Sequence, residues 1–121
     1  MTPISISQAL KHLQIGQIVQ INNWDTVMTV AGISNRYVLV YDPVIRDPNN
    51  ASHEYSVLCK LPDADGIFWC APDDWIFGYA EGYHFNDTNW VKKYLDDFEN
   101  GENRMSRRNR APIVFIEVHN E

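Results

Sequence analysis

Cysteine is scarce in this chain, with two in 121 residues, so a disulfide-dense scaffold is excluded. No apolar run approaches the roughly 18 residues that a membrane-spanning helix requires. The opening Met1-Thr2-Pro3-Ile4-Ser5 has neither a basic segment nor an apolar one after it, so it does not read as a signal peptide. These absences predict a soluble, cytoplasmic protein without a membrane partner. There is no internal repeat and no Gly/Ser linker, and the length predicts a single domain over 1–121. Gly-rich phosphate loops and the G-x-S-x-G nucleophile turn are missing. The four histidines, His12, His53, His84 and His119, form no H-x-H, H-x-x-x-H or H-E-x-x-H pattern. No metal or cofactor is therefore expected. Asp63-Ala64-Asp65-Gly66 lacks the closing glutamate of a calcium loop and reads as a turn.

What is present is an ordinary globular composition, 45% hydrophobic and 12% aromatic, with an uneven charge. The net charge is −6. From Asp63 to Glu102 there are ten acids against Lys92 and Lys93, a net of −8. From Arg104 to Arg110 there are four arginines and no acid. Such asymmetry speaks to partners rather than to fold.

The apolar periodicity predicts an α+β chain. Ser5 and Gln8 make a capping box for a short helix over 6–14, with Ile6, Ala9, Leu10 and Leu13 on one face. Strand patterns follow at 17–21 and 27–33, with Gly32 a bulge candidate. Tyr37-Val38-Leu39-Val40-Tyr41 is apolar at every position, which predicts a central strand covered on both faces. Residues 43–52 read as a loop. Strands at 55–61 and 67–71 flank a five-residue turn. The register that pairs Cys59 with Trp69 and Leu58 with Cys70 puts the two cysteines on opposite faces, so they stay reduced. Trp75-Ile76-Phe77 reads as a further short strand. Asn86 or Asp87 caps a second helix over 88–99, with Trp90, Val91, Tyr94, Leu95 and Phe98 as its apolar stripe. Its wet face is Lys92, Lys93, Asp96, Asp97 and Glu99, and Gly101 ends it. A closing strand over 113–118 returns to the sheet.

The stretches Ile15-Gly16-Gln17-Ile18-Val19-Gln20-Ile21 and Val27-Met28-Thr29-Val30-Ala31-Gly32-Ile33 resemble the opening of small bacterial SH3-like barrel proteins. The resemblance covers about the first third of the chain. It implies a strongly bent antiparallel sheet or a partly open SH3-like barrel of five to six strands, with both helices packed on it. It implies no activity.

Two surfaces stand out. Seven of fifteen aromatics fall within residues 68–85: Phe68, Trp69, Trp75, Phe77, Tyr79, Tyr83 and Phe85. Asp73, Asp74, Glu81 and His84 lie among them, and acids beside rings suit a cationic partner group. Trp75 and Tyr83 are the rings expected to be partly exposed. The second surface is the end of the second helix, where Asp96, Asp97, Glu99 and Glu102 oppose the helix dipole and require a cation from outside the helix. Arg104, Arg107, Arg108 and Arg110 either fold back to supply it or face a partner.

The leading expectation is a non-catalytic protein-interaction domain that binds a basic site on another protein. In size and acidity the chain is similar to phage-encoded inhibitors of the anti-CRISPR type. Two alternatives stay open. One is nucleic-acid binding through Arg104–Arg110, which the adjacent acidic segment opposes. The other is a small enzyme assembled around His84 or Cys59, with His53 or His84 as base.

Overall fold

The computed structural model describes residues 5–23, 27–42, 55–73, 87–101 and 110–119, except for the side chains of Pro72 and Asp73. The expected loop at 43–52, the strand at 75–77 and the aromatic residues Trp75, Phe77, Tyr79, Tyr83 and Phe85 lie outside the described residues.

Helix α1 spans Ile6–Lys11 and is capped by Ser5, whose Oγ accepts a 3.2 Å bond from the Gln8 N–H. It is shorter than the expected 6–14. The Gln14 N–H is taken by Gln17 Oε1 at 2.8 Å, and Gly16 at φ +93° turns the chain into the sheet, while Leu13 still reaches the core. The strands are β1 Ile18–Ile21, β2 Met28–Ile33, β3 Tyr37–Tyr41, β4 Tyr55–Cys59 and β5 Trp69–Asp73. Helix α2, Thr88–Glu99, follows, and then β6 Ala111–Pro112 and β7 Ile116–His119.

All the strand pairs are antiparallel, in the order β6-β5-β4-β3-β2-β1-β7. The result is a strongly curled half-barrel of seven described strands with two helices. The strand count corrects the expected five to six, and an SH3-like barrel is not established. The difference arises at the C-terminal end. The strand expected at 113–118 is realised as β7, and a further short strand, β6, precedes it; the two lie at opposite ends of the sheet, which the curl brings close together.

One asparagine fastens that crossing. Asn22, just after β1, sits at φ +50°, a left-handed conformation that asparagine tolerates better than most residues. Its Oδ1 accepts from the Val114 N–H at 2.8 Å and the Phe115 N–H at 3.2 Å, and its Nδ2 donates to the Pro112 carbonyl at 3.0 Å. Its own N–H donates to the Phe115 carbonyl at 2.8 Å, and the Ile113 N–H reaches Phe68 of the far end at 2.7 Å.

The sheet is covered on both faces. On one face Ala9, Leu10 and Leu13 pack with Val19, Val30, Val38, Val40, Leu58, Cys70, Ile113 and Ile116. On the other, Val91, Leu95 and Phe98 of α2 pack with Tyr37, Leu39, Val57, Cys59, Trp69 and Ala71. Strand β3 lies at the middle of the order, with Val38, Leu39 and Val40 fully buried, as its unbroken apolar run predicts. The pairs Val57↔Ala71 and Leu58↔Cys70 are those expected from the turn, so Cys59 and Cys70 are free and on opposite faces.

The register of β2 on β3 shifts between Val30 and Gly32, the bulge expected there. Helix α2 also lies directly over Gly32. A Cβ at this position would collide with Val91 Cγ1 and lie 3.1 Å from Leu95 Cδ1. Gly32→Ala is expected to push α2 off the sheet and cost about 1–3 kcal/mol, read as a lower denaturation midpoint in urea. An unchanged midpoint would show that the helix is not seated this closely.

Candidate binding groove

Helix α2 forms where its sequence signals place it. Asp87 Oδ1 accepts from the N–H groups of Asn89 and Trp90 at 3.0 and 3.3 Å, and Gly101 leaves the helix at φ +72°. Val91, Leu95 and Phe98 are buried, and Trp90 stacks on Tyr94 with centroids 5.2 Å apart. Between this helix and β2 lies a groove of about 690 Å³. Its strand side is Ala31, Gly32, Ile33, Ser34 and Asn35, its helix side Thr88, Val91, Lys92, Leu95, Asp96 and Glu99. Ile15, 69% exposed, stands at the rim.

One end of the groove is locked by Glu99. Its Oε2 accepts from Ser34 Oγ at 2.5 Å and from the Arg36 N–H at 2.6 Å, and its Oε1 accepts from Arg36 Nε at 2.8 Å. Arg36 Nη2 also donates to the Glu99 carbonyl at 2.6 Å, and Lys60 Nζ donates to the Ser34 carbonyl at 2.7 Å. A cation thus sits on the last turn of α2, where the helix dipole favours one. Among the described residues the cation on this helix end is Arg36, from the turn between β2 and β3. Glu99 is half-buried rather than part of a wet face, and its carboxylate is engaged within the fold.

The other acids of the helix end have cations in reach too. Lys92 Nζ lies 2.7 Å from Asp96 Oδ2, and Lys93 Nζ lies 3.7 Å from Asp97 Oδ2. Both pairs are at i,i+4 and their lysines are largely exposed, so each contributes only a few tenths of a kcal/mol. Arg110 lies over the Trp69 ring, 3.8 Å from its centroid, and covers the edge of a buried aromatic. Asp73 is the last residue of β5, opposite Tyr55. Asp74, Trp75, Tyr83, His84, Glu102, Arg104, Arg107 and Arg108, with His53, lie outside the described residues.

Among the described residues the groove lining holds no thiol and no imidazole. Burial pushes the Cys59 thiol up and the Cys70 thiol to about 11, so neither thiol is activated as a nucleophile. Among the described residues no three His, Cys, Asp or Glu side chains gather as metal ligands. The described titratable groups of the groove are Lys92, Asp96 and Glu99, paired as above.

Sequence reasoning found the helix stripe, Asp96 and the need for a cation at the helix end. It missed Arg36, Ser34 and Ile15. Arg36 and Glu99 are 63 residues apart, and a lone arginine in a Ser-Asn-Arg turn is an ordinary surface residue in sequence. The unanswered charge of the helix end was the signal that could have led to it. Comparison of the chain with protein-family models, with curated proteins and with solved structures finds no match in any of the three.

Burial alone raises the Glu99 carboxyl, but the bonds from Ser34 and Arg36 outweigh it and hold the group below the ordinary glutamate value of 4.5. A carboxyl depressed in the folded state adds stability that is complete above its unfolded value and fades as pH falls through its folded one. The Glu99 side chain is 19% exposed and that of Arg36 43%, so hydrogen bonding outweighs the screened ion pair. Glu99→Gln is expected to lose about 1–3 kcal/mol at neutral pH and to flatten the fall in stability below pH 4.5. Urea titrations of both proteins across the acid range measure this, and parallel pH profiles would contradict it.

Proposed function

We propose that this chain is a non-catalytic protein-interaction domain whose groove between β2 and α2 receives a segment of a partner protein. The observation that carries the reading is an open groove, edged by a strongly exposed isoleucine, whose described titratable groups, Lys92, Asp96 and Glu99, are paired within the fold. An apolar side chain standing in water beside a concave apolar floor gains by being covered, at roughly 25 cal/mol per Å² removed from water. The net charge of −6 adds a long-range preference for a basic partner, acting on encounter more than on affinity. The same charge works against a nucleic-acid backbone as the ligand.

A photo-crosslinking amino acid at position 15, and separately at 114, tests this in cells of the source organism. Val114 is equally exposed, at 73%, but belongs to the crossing between β6 and β7. The expected result is a defined covalent adduct from position 15 that Leu95→Arg or raised salt diminishes, and none from position 114. Adducts of the same pattern from both positions, or none from position 15, would contradict the reading.

A further inference from the structure

The backbone of β2 is only half paired where it lines the groove. Strand β1 pairs with β2 at Ile18↔Thr29 and Val19↔Met28, and its last contacts are Gly16 N–H to Val30 carbonyl and Val30 N–H to Gln17 carbonyl, both 2.9 Å. There the chain turns away at Gly16. Beyond the bulge, Ile33 pairs with Val38, and the Ser34 N–H donates to the Tyr37 carbonyl at 2.8 Å. In an antiparallel ladder that bond identifies Ile33↔Val38 as a non-hydrogen-bonded pair. The N–H and carbonyl of Ile33 therefore point away from β3, to the side that β1 has vacated. Among the described residues neither group has a partner.

We infer that a partner segment binds here as an added strand, taking up the line of β1 along residues 31–33 of β2. The inference rests on the groove being the binding site and specifies its occupant: an extended segment of another protein with an apolar residue between Ile15 and Leu95 and a basic residue beside Asp96. The open N–H and carbonyl require a backbone that offers the complementary pair, as in strand addition to exposed sheet edges. The apolar preference follows from Ile15 on one side and the helix floor on the other. The basic preference follows from the weakness of what Asp96 has now. Its partner Lys92 is an exposed i,i+4 neighbour in the less favourable order, and an incoming guanidinium displaces it with two parallel hydrogen bonds.

The test uses the full chain labelled with nitrogen-15 and a short synthetic peptide of alternating valine and arginine. Two further peptides serve as controls: one with the amides of alternate residues N-methylated, and one with glutamate in place of arginine. The expected result is saturable shifts of the amides of residues 31–35, with affinity about tenfold lower for each control peptide. Ile15→Asp weakens the valine–arginine peptide by about tenfold, and Val114→Asp leaves it unchanged, both variants keeping the dispersed spectrum of the folded protein. If the N-methylated peptide binds as well as its parent while Ile15→Asp weakens both, the groove stands as the site but strand addition is overturned. If no peptide perturbs residues 31–35, strand addition is overturned, while crosslinking from position 15 still decides the groove.

Discussion

How closely α2 can lie against β2 is fixed at Gly32, and the rest of the outer face depends on it. The residue has no side chain, and Val91 and Leu95 occupy the space one would fill. It is also part of the bulge, where β2 takes an extra residue and bends. One position thus brings the helix down onto the strand just where the chain of β1 turns away at Gly16. Seating the helix builds the second core, around Phe98, Leu39 and Trp69. That departure leaves a gap between the edge of β2 and the chain at Ile15. The groove is what remains when a helix is held close to a strand whose neighbour has ended.

The Glu99 cluster holds the far end of that arrangement. Four bonds converge on the last residue of α2, three of them on one carboxylate, and they join the helix to the β2–β3 turn. This changes the meaning of the acidic helix end. Read as sequence, Asp96, Asp97 and Glu99 look like a surface offered to a basic partner. In the fold each has a cation near it, and the tightest pairing is used to place the groove wall. Asp96 keeps the weakest hold on its cation among those that line the groove, which makes it the acid most open to exchange with a partner.

Much of this architecture was legible in the residues. The span from Asp87 to Gly101 states a helix with cap, stripe and stop, and α2 occupies it. The unbroken run Tyr37–Tyr41 states a covered central strand, and the turn at 62–66 fixes the register that separates Cys59 from Cys70. These features are local: neighbours of known spacing decide them. What the sequence concealed is long-range. Asn22 reads as turn chemistry, yet its amide serves backbone groups some ninety residues later. Arg36 reads as a solvated turn residue, yet it caps a helix 63 positions on. Ala111-Pro112 carries no strand pattern of its own, and it pairs as β6 only because the curl brings the chain past the far end of the sheet. The groove had no signature either, since Ile15 resembles the tail of α1 and the free edge of β2 exists only relative to where β1 stops.

Amide hydrogen exchange of the free protein tests most directly whether β2 presents an unpaired backbone edge inside this groove. Val30, whose N–H is bonded to Gln17, and Leu39, at the middle of the sheet, are expected to exchange slowly. The Ile33 amide, one turn of the ladder from Val30 within the same strand, is expected to exchange orders of magnitude faster, near the rate of an unprotected peptide. Protection of Ile33 equal to that of Val30 would mean that the edge is already occupied, and the account of the groove would fail.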